Sequence, residues 1–226
     1  MQIEVLSVGG SVIAPDTIDV KFLEKLKKLI TSFHDRKFVI VAGGGKIARL
    51  YIEALRKDNL SKRVLSNAGI AITRINATFL AEFFTKKPQY PPPTTLKEIK
   101  NLLKKHSIVF CGSLRYEDNN TSDGTAAEIA RHFRTRFINI TNVKGLYTKD
   151  PKRFKDAQFI PRMSFDDFER MAKKISYAPG QHFVLDQHAS SVIKKGNIPT
   201  YIIGKDMNNL AAVLKGKKWT GTLIAH

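Results

Sequence analysis

The chain has 226 residues, of which 42% are hydrophobic, so it can bury the core of one α/β domain or of two fused lobes. The formal net charge is +18, but the basic residues are spread in small groups, which favours a solvated basic surface over a specific nucleic-acid site. No apolar run approaches the roughly 18 residues of a membrane span, and no basic leader precedes an apolar stretch. The single cysteine, Cys111, excludes an intramolecular disulfide and is expected to be a buried filler in a reducing, cytoplasmic environment.

Strand-like and helix-like patterns alternate along the chain. Strands are predicted over 3–8, 37–42, 108–111, 137–140, 200–203 and 222–224. Helices are predicted over 19–33, 46–57, 62–85, 96–105, 126–133, 165–174, 188–195 and 210–215. This alternation with short connections predicts an α/β fold in which helices cover both faces of a mainly parallel sheet.

Three glycine-containing loops follow predicted strands: Gly9-Gly10-Ser11, Gly43-Gly44-Gly45-Lys46 and Gly112-Ser113. Ligands of parallel sheets bind at the carboxyl ends of the strands, and glycine lets backbone N–H groups approach an oxyanion. The helix after Gly45 adds its positive dipole end. These loops predict a crevice that holds two phosphorylated molecules. The P-loop, dinucleotide-binding and zinc signatures are absent from the sequence.

Five segments in chain order carry a resemblance that covers essentially the whole chain. They are 6–12 (LSVGGSV), 42–49 (AGGGKIAR), 69–77 (GIAITRINA), 141–151 (TNVKGLYTKDP), and the C-terminal pattern of Leu185-Asp186, Ala189 and 221–224 (GTLI). On these residues the chain resembles the amino-acid kinase superfamily and, within it, the archaeal-type UMP kinases. The resemblance implies a three-layer αβα sandwich in one kinase domain, with an acceptor-binding lobe over about 1–135 and an ATP-binding lobe over about 136–226.

The resemblance also implies an activity, ATP-dependent phosphorylation of UMP to UDP in pyrimidine biosynthesis. The partners it implies are ATP and UMP, with Mg²⁺ arriving on ATP, and further copies of the chain in a hexamer built as a trimer of dimers. No specific nucleic acid and no membrane is expected as a partner. Phosphoryl transfer needs in-line positioning and positive charge more than covalent help from the protein.

The family motifs assign roles residue by residue. The residues implied to bind ATP are Gly9, Gly10, Ser11, Gly45, Arg49, Thr141, Asn142, Tyr147 and Asp150. Those implied to bind the acceptor are Gly44, Ser66, Thr73, Arg74, Asn76, Gly112, Arg115, Thr121 and Ser122. Asp123 and Lys46 are the implied catalytic residues, and no protein side chain is assigned to a metal. Plainer interpretations stay open: Asp123 as a helix cap, and Lys46 as a solvated lysine.

The sequence departs from the family pattern at four places. Lys144 stands where the family usually has an aspartate, and Ser66 stands where UMP kinases usually have an aspartate that binds the ribose. The acceptor loop 113–120 lacks the usual Pro-Gly and is longer, and Cys111 replaces its second glycine. We hypothesise that Arg115 and the adjacent Tyr116 compensate by pairing with phosphate and stacking on a base.

Three alternatives therefore stay open. One is a kinase of the same fold that acts on another small phosphate, such as isopentenyl phosphate or a cofactor precursor. The absence of a histidine near 43–49 counts against isopentenyl phosphate. A non-catalytic nucleotide-binding descendant is the second, which the charge of Lys144 supports, and a basic nucleic-acid-binding module is the third.

Overall fold

The structure is a computed structural model that describes residues 1–86, 88, 91–116, 121–151, 153–174 and 185–226. Its strands are β1 (Gln2–Val8), β2 (Arg36–Ala42), β3 (Ile108–Cys111), β4 (Phe137–Ile140), β5 (Leu146–Tyr147), β6 (Phe159–Ile160), β7 (Arg162–Met163), β8 (Thr200–Ile203) and β9 (Thr222–Ile224). Seven of them form one sheet in the order β3-β2-β1-β4-β8-β9-β7. All neighbours in this sheet are parallel except β8 and β9, which confirms the mainly parallel sheet.

The helices of the described residues are α1 (Gly10–Ile13), α2 (Val20–Thr31), α3 (Gly45–Arg56), α4 (Lys62–Phe84), α5 (Leu96–Lys105), α6 (Ser122–Phe133), α7 (Phe165–Lys173), α8 (Gln187–Gly196) and α9 (Met207–Leu214). Most lie within two residues of the sequence prediction. Helix α1 begins within the first glycine loop, at a place where the sequence pattern predicted no helix. Helix α6 begins four residues before its predicted start because the Thr121 hydroxyl accepts a hydrogen bond from the backbone N–H of Asp123.

Alternating side chains of the central strand divide the interior into two hydrophobic cores. Val5 of β1 packs in the core beneath α5, α6, α7 and α8, whereas Leu6 and Val8 pack in the core beneath α2, α4 and α9. The central strands are therefore apolar on both faces, and the sheet lies between two helical layers. This confirms the three-layer arrangement. Cys111 is fully buried, and burial raises its pKa to about 12, as expected for an inert filler.

A buried ion cluster lies at the end of the sheet where its central strands begin. The Glu4 carboxylate of β1 is fully buried and accepts hydrogen bonds from Arg36 at 3.2 Å and from Arg136 at 2.7 Å. Both guanidinium groups also donate to the carbonyl of Leu214 at the end of α9. The hydrogen bond to Glu4 raises the pKa of Arg136. The two guanidinium groups thereby join Glu4 of β1 and the starts of β2 and β4 to the end of α9.

The two predicted lobes share this one sheet. Strands β1 to β3 lie within 1–135, and the other strands of the seven lie within 136–226. The division into an acceptor lobe and an ATP lobe stays a prediction. Among the described helices, none combines the length and the hydropathy needed to cross a bilayer.

Candidate active site

An open cavity of about 510 Å³ lies where β1, β2 and β4 end. Its walls come from the first two glycine loops, the starts of α3 and α6, the middle of α4, and the segment 141–151. These are the carboxyl ends of adjacent parallel strands, the position at which open α/β sheets bind ligands. The cavity is large enough for small organic ligands.

The first two glycine loops touch each other across this edge. A Cβ atom added to Gly10 would overlap the backbone of Gly45, and one added to Gly43 would lie 2.5 Å from the nitrogen of Gly10. Gly45 also has a φ angle of +65°, which favours glycine. The two loops can pack backbone against backbone only because neither carries a side chain there. The result is a shared glycine surface at the N-terminus of α3, where N–H groups and the helix dipole favour an anion.

The carboxylate of Asp123 is held at the cavity by two neutral donors. Ser7 Oγ donates to its Oδ1 at 2.7 Å, and Asn139 Nδ2 donates to the same oxygen at 2.9 Å. Burial raises the pKa of Asp123 to about 7, and the nearby charge of Asp186 also raises it. Asp123 lies in the first turn of α6, whose cap is Thr121. The interpretation of Asp123 as the helix cap is therefore wrong.

Asp186 joins the starts of two helices beside Asp123. Its carboxylate accepts a hydrogen bond from the Thr121 hydroxyl and, at 2.6 Å, from the backbone N–H of Ala189, which caps α8. Burial raises its pKa as well. Asp186 lines the cavity, as do Ser122 and Thr121. The N-termini of α6 and α8 thus meet at one wall.

The residues predicted to bind ATP all line the cavity. They form two groups, the glycine loops with Arg49 and the segment 141–151 with Tyr147. Burial lowers the pKa of Arg49, whose guanidinium lies on α3 at the wall. Lys144 is not among the lining residues; its ammonium group lies 4.6 Å from the centre of the Phe159 ring.

The residues predicted to bind the acceptor divide into two sets. The five that line the cavity are Gly44, Ser66, Thr73, Thr121 and Ser122. The four that do not are Arg74, Asn76, Gly112 and Arg115.

Each of these four contacts the protein instead. Arg74 and Asn76 donate to backbone carbonyls of the loops. Gly112 packs against Thr73 so closely that an added Cβ would lie 2.5 Å from its hydroxyl oxygen. Arg115 Nη2 lies 3.9 Å from the carboxylate of Glu128. The predicted contacts of these four residues with the acceptor stay predictions.

The predicted catalytic residue Lys46 also lies outside the cavity lining. Its side chain is about half exposed, and its ammonium group is 2.8 Å from the Asp16 carboxylate. Its predicted catalytic role stays a prediction, and the geometry matches the plainer interpretation of a solvated lysine.

Three polar residues of the site had no role assigned from the sequence, although Ser7 and Asp186 lie within the motif segments. Ser7 and Asn139 are polar residues inside otherwise apolar strands, and Asp186 follows the buried Leu185 directly before a helix. A polar residue within an apolar strand near its carboxyl end was the signal that would have found the first two.

Residues 2–204 match the amino acid kinase family, and the chain belongs to that family. A uridylate kinase from Thermoplasma acidophilum is 33% identical over 97% of this chain and 95% of its own length. A uridylate kinase from Thermococcus kodakarensis is 31% identical over 97% of this chain and 98% of its own. The crystal structure of uridylate kinase from Archaeoglobus fulgidus is 31% identical, has a TM-score of 0.79 and covers 100% of both chains.

Proposed function

We propose that this chain transfers the γ-phosphoryl group of ATP to UMP, with UDP and ADP as products. Its relatives named uridylate kinase span nearly the full chain, which supports the reaction and its substrates. The observation that carries the proposal is the shared glycine surface formed by the loops at Gly10 and Gly45. Two phosphate groups can meet there without a side chain between them.

The reaction follows from this geometry. An oxygen of the UMP phosphate attacks the γ-phosphorus in line, and the bond from that phosphorus to the β–γ bridging oxygen breaks, so that ADP leaves. Backbone N–H groups at the glycine surface, the N-terminus of α3 and the Arg49 guanidinium stabilise the negative charge of the transferring group. The segment 141–151 binds ATP, and Ser66 and Thr73 line the wall assigned to UMP.

The oxygens at the cavity suit a magnesium ion that arrives with ATP. Asn139 is 2% exposed, and its Oδ1 is buried without a hydrogen-bond partner among the described residues. Together with the Asp123 carboxylate it offers the oxygen ligands that Mg²⁺ or its bound waters prefer. Mg²⁺ supplies positive charge that neutralises the phosphates when it is bound. The residues Asp123 and Asn139 would hold the ion or its waters from the protein side.

The wider setting belongs to the same proposal. The chain acts in the cytoplasm in pyrimidine nucleotide biosynthesis, as a hexamer built from dimers. Helix α3 leaves Ile47, Leu50 and Tyr51 exposed at helical spacing, which supports association between copies. Light scattering during size-exclusion chromatography tests the hexamer, and a monomeric mass would contradict it.

A coupled ADP-release assay with Mg-ATP tests the reaction. The acceptors to compare are UMP, CMP, dUMP, AMP, GMP and isopentenyl phosphate. We expect turnover with UMP at ordinary kinase rates, on the order of 1–100 s⁻¹, and far slower turnover with CMP and AMP. Turnover with only another acceptor, or ATP binding without turnover of any acceptor, would contradict the proposal.

A further inference from the structure

One turn of α4 carries three polar side chains that contact the loops around the cavity. Thr73, Arg74 and Asn76 are close in sequence, yet they contact two different loops. These loops follow β3 and β2, which are neighbouring strands of the sheet. This turn of α4 therefore links the loops that follow two neighbouring strands.

Thr73 and Arg74 together hold the loop after β3. The Thr73 hydroxyl accepts from the backbone N–H of Ser113 at 2.9 Å, and Arg74 Nε donates to the carbonyl of the same residue at 3.2 Å. Arg74 Nη2 donates to the Leu114 carbonyl at 2.6 Å. Both loop residues are buried, so these backbone groups need partners within the protein. The planar fork of arginine suits two carbonyls at once.

Asn76 holds the second glycine loop. Its Nδ2 donates to the Gly43 carbonyl at 2.7 Å, and the N–H of Gly43 donates to the Val8 carbonyl at the end of β1 at 2.9 Å. The same loop contacts Gly10 backbone to backbone. A continuous set of contacts thus runs from the loop after β3, through α4, to the shared glycine surface.

We propose that Arg74 is a positioning residue for the acceptor, which holds the loop after β3 at a fixed distance from the shared glycine surface. The inference rests on the proposed function, because that loop borders the wall assigned to UMP. Arg74 does not line the cavity, and its donors face loop carbonyls. It acts on the acceptor through Ser113, which does line the cavity. Thr73 and Asn76, on the same turn of α4, hold the two loops together with Arg74.

The substitution Arg74→Met tests this role because methionine retains much of the apolar stem and removes both donors. We expect the KM for UMP to rise about 10-fold or more, because small displacements of positioning groups are costly, while the KM for ATP stays within about twofold. The substitution Arg74→Lys retains one donor and is expected to restore part of the UMP affinity. Arg170→Met is the matched control, since it removes an exposed guanidinium from α7. An unchanged KM for UMP in Arg74→Met would overturn the inference.

A second measurement separates positioning from direct phosphate contact. The dissociation constants of uridine and UMP, each measured by direct binding to the ligand-free protein, are compared in the wild type and in Arg74→Met. A positioning residue weakens both ligands by a similar factor, because the loop that contacts them has moved. A residue that pairs with phosphate weakens UMP and leaves uridine unchanged, and that result would contradict the inference.

Hydrogen–deuterium exchange of the ligand-free protein gives a test that does not depend on the activity. We expect Arg74→Met to raise exchange in peptides that cover 108–116 and to leave those from α7 unchanged. If wild-type protein fails to turn over UMP, the proposed function fails, and the exchange result alone decides whether Arg74 holds the loop. Unchanged exchange over 108–116 would refute the inference whatever the activity.

Discussion

Two carboxylates, one near the starts of the central strands and one near their carboxyl ends, have contrasting surroundings. Glu4, at the N-terminal edge, is buried between the guanidinium groups of Arg36 and Arg136. Asp123, at the C-terminal edge, accepts hydrogen bonds from a hydroxyl and an amide, and no lysine or arginine of the described chain forms an ion pair with it. Strand β1 contributes to both places, through Glu4 itself and through Ser7.

The contrast shows that one strand contributes to a buried ion cluster at one end and to the wall of the cavity at the other. Two guanidinium groups offset the cost of burying the Glu4 charge, so the carboxylate at the N-terminal end of the strands is fully paired with positive charge. Neutral donors offset only part of the cost for Asp123, and its pKa rises. The carboxylate at the cavity therefore retains an affinity for positive charge that a ligand can supply.

The largest expected effect is a loss of stability when the buried ion cluster around Glu4 is disrupted. Glu4→Gln leaves the largely buried guanidinium of Arg136 without its anion and leaves Arg36 with only the exposed Asp35, and we expect the free energy of unfolding to fall by about 3–5 kcal/mol. Urea denaturation at pH 7 measures it. Asp35→Asn is the control, because it removes only the exposed partner of Arg36 and should cost less than about 1 kcal/mol. Equal losses in the two variants would contradict the comparison.

The next largest expected effect is a loss of activity when the charge of Asp123 is removed. Asp123→Asn removes the charge but keeps the shape, and we expect kcat to fall about 100-fold, in the range that single electrostatic groups contribute. The free energy of unfolding at pH 8 should not fall, because the variant no longer buries an unpaired charge. A kcat within about threefold of the wild type, or a stability loss like that of Glu4→Gln, would count against the assigned role.

The smallest effect is a pH dependence of stability. The pKa of Asp123 is about 7 in the folded protein, against 3.8 as its ordinary value, so the folded state binds the extra proton between these values. This carboxyl therefore lowers stability as the pH rises from about 4 to about 7. Allowing for solvent in the cavity, we expect about 1–2 kcal/mol of this loss between pH 5 and pH 8. Asp123→Asn should lack that part, and identical pH profiles of unfolding free energy would refute it.

Most of the fold was predictable because its signals are local. Apolar strands, amphipathic helices and glycine loops occur in a regular order, and each element was recognisable within its own segment. The short strands β5, β6 and β7 were missed because two residues carry no periodicity. The early start of α6 depends on one hydroxyl, that of Thr121, which the apolar pattern does not record.

The site was predictable in its location but less so in its roles. Motif positions predicted which loops line the cavity, since the order of the strands fixes where the glycine loops and the segment 141–151 lie. The roles of side chains on α4 were harder to predict. Consecutive residues of a helix point in different directions, so one faces the cavity and the next faces a loop. Thr73 lines the cavity whereas its neighbour Arg74 does not. The buried pairing of Glu4 also had no local signal, because Arg36 and Arg136 come from distant segments.

The position of β1 at the middle of the sheet has a consequence during synthesis. β1 (Gln2–Val8) pairs with β2 on one side and with β4 (Phe137–Ile140) on the other. When the ribosome has made the first three strands, the edge of β1 that will pair with β4 still presents unpaired backbone groups. Such an edge readily accepts strands from other nascent chains. The chain is therefore exposed to misassembly in the interval before Phe137–Ile140 emerges from the ribosome.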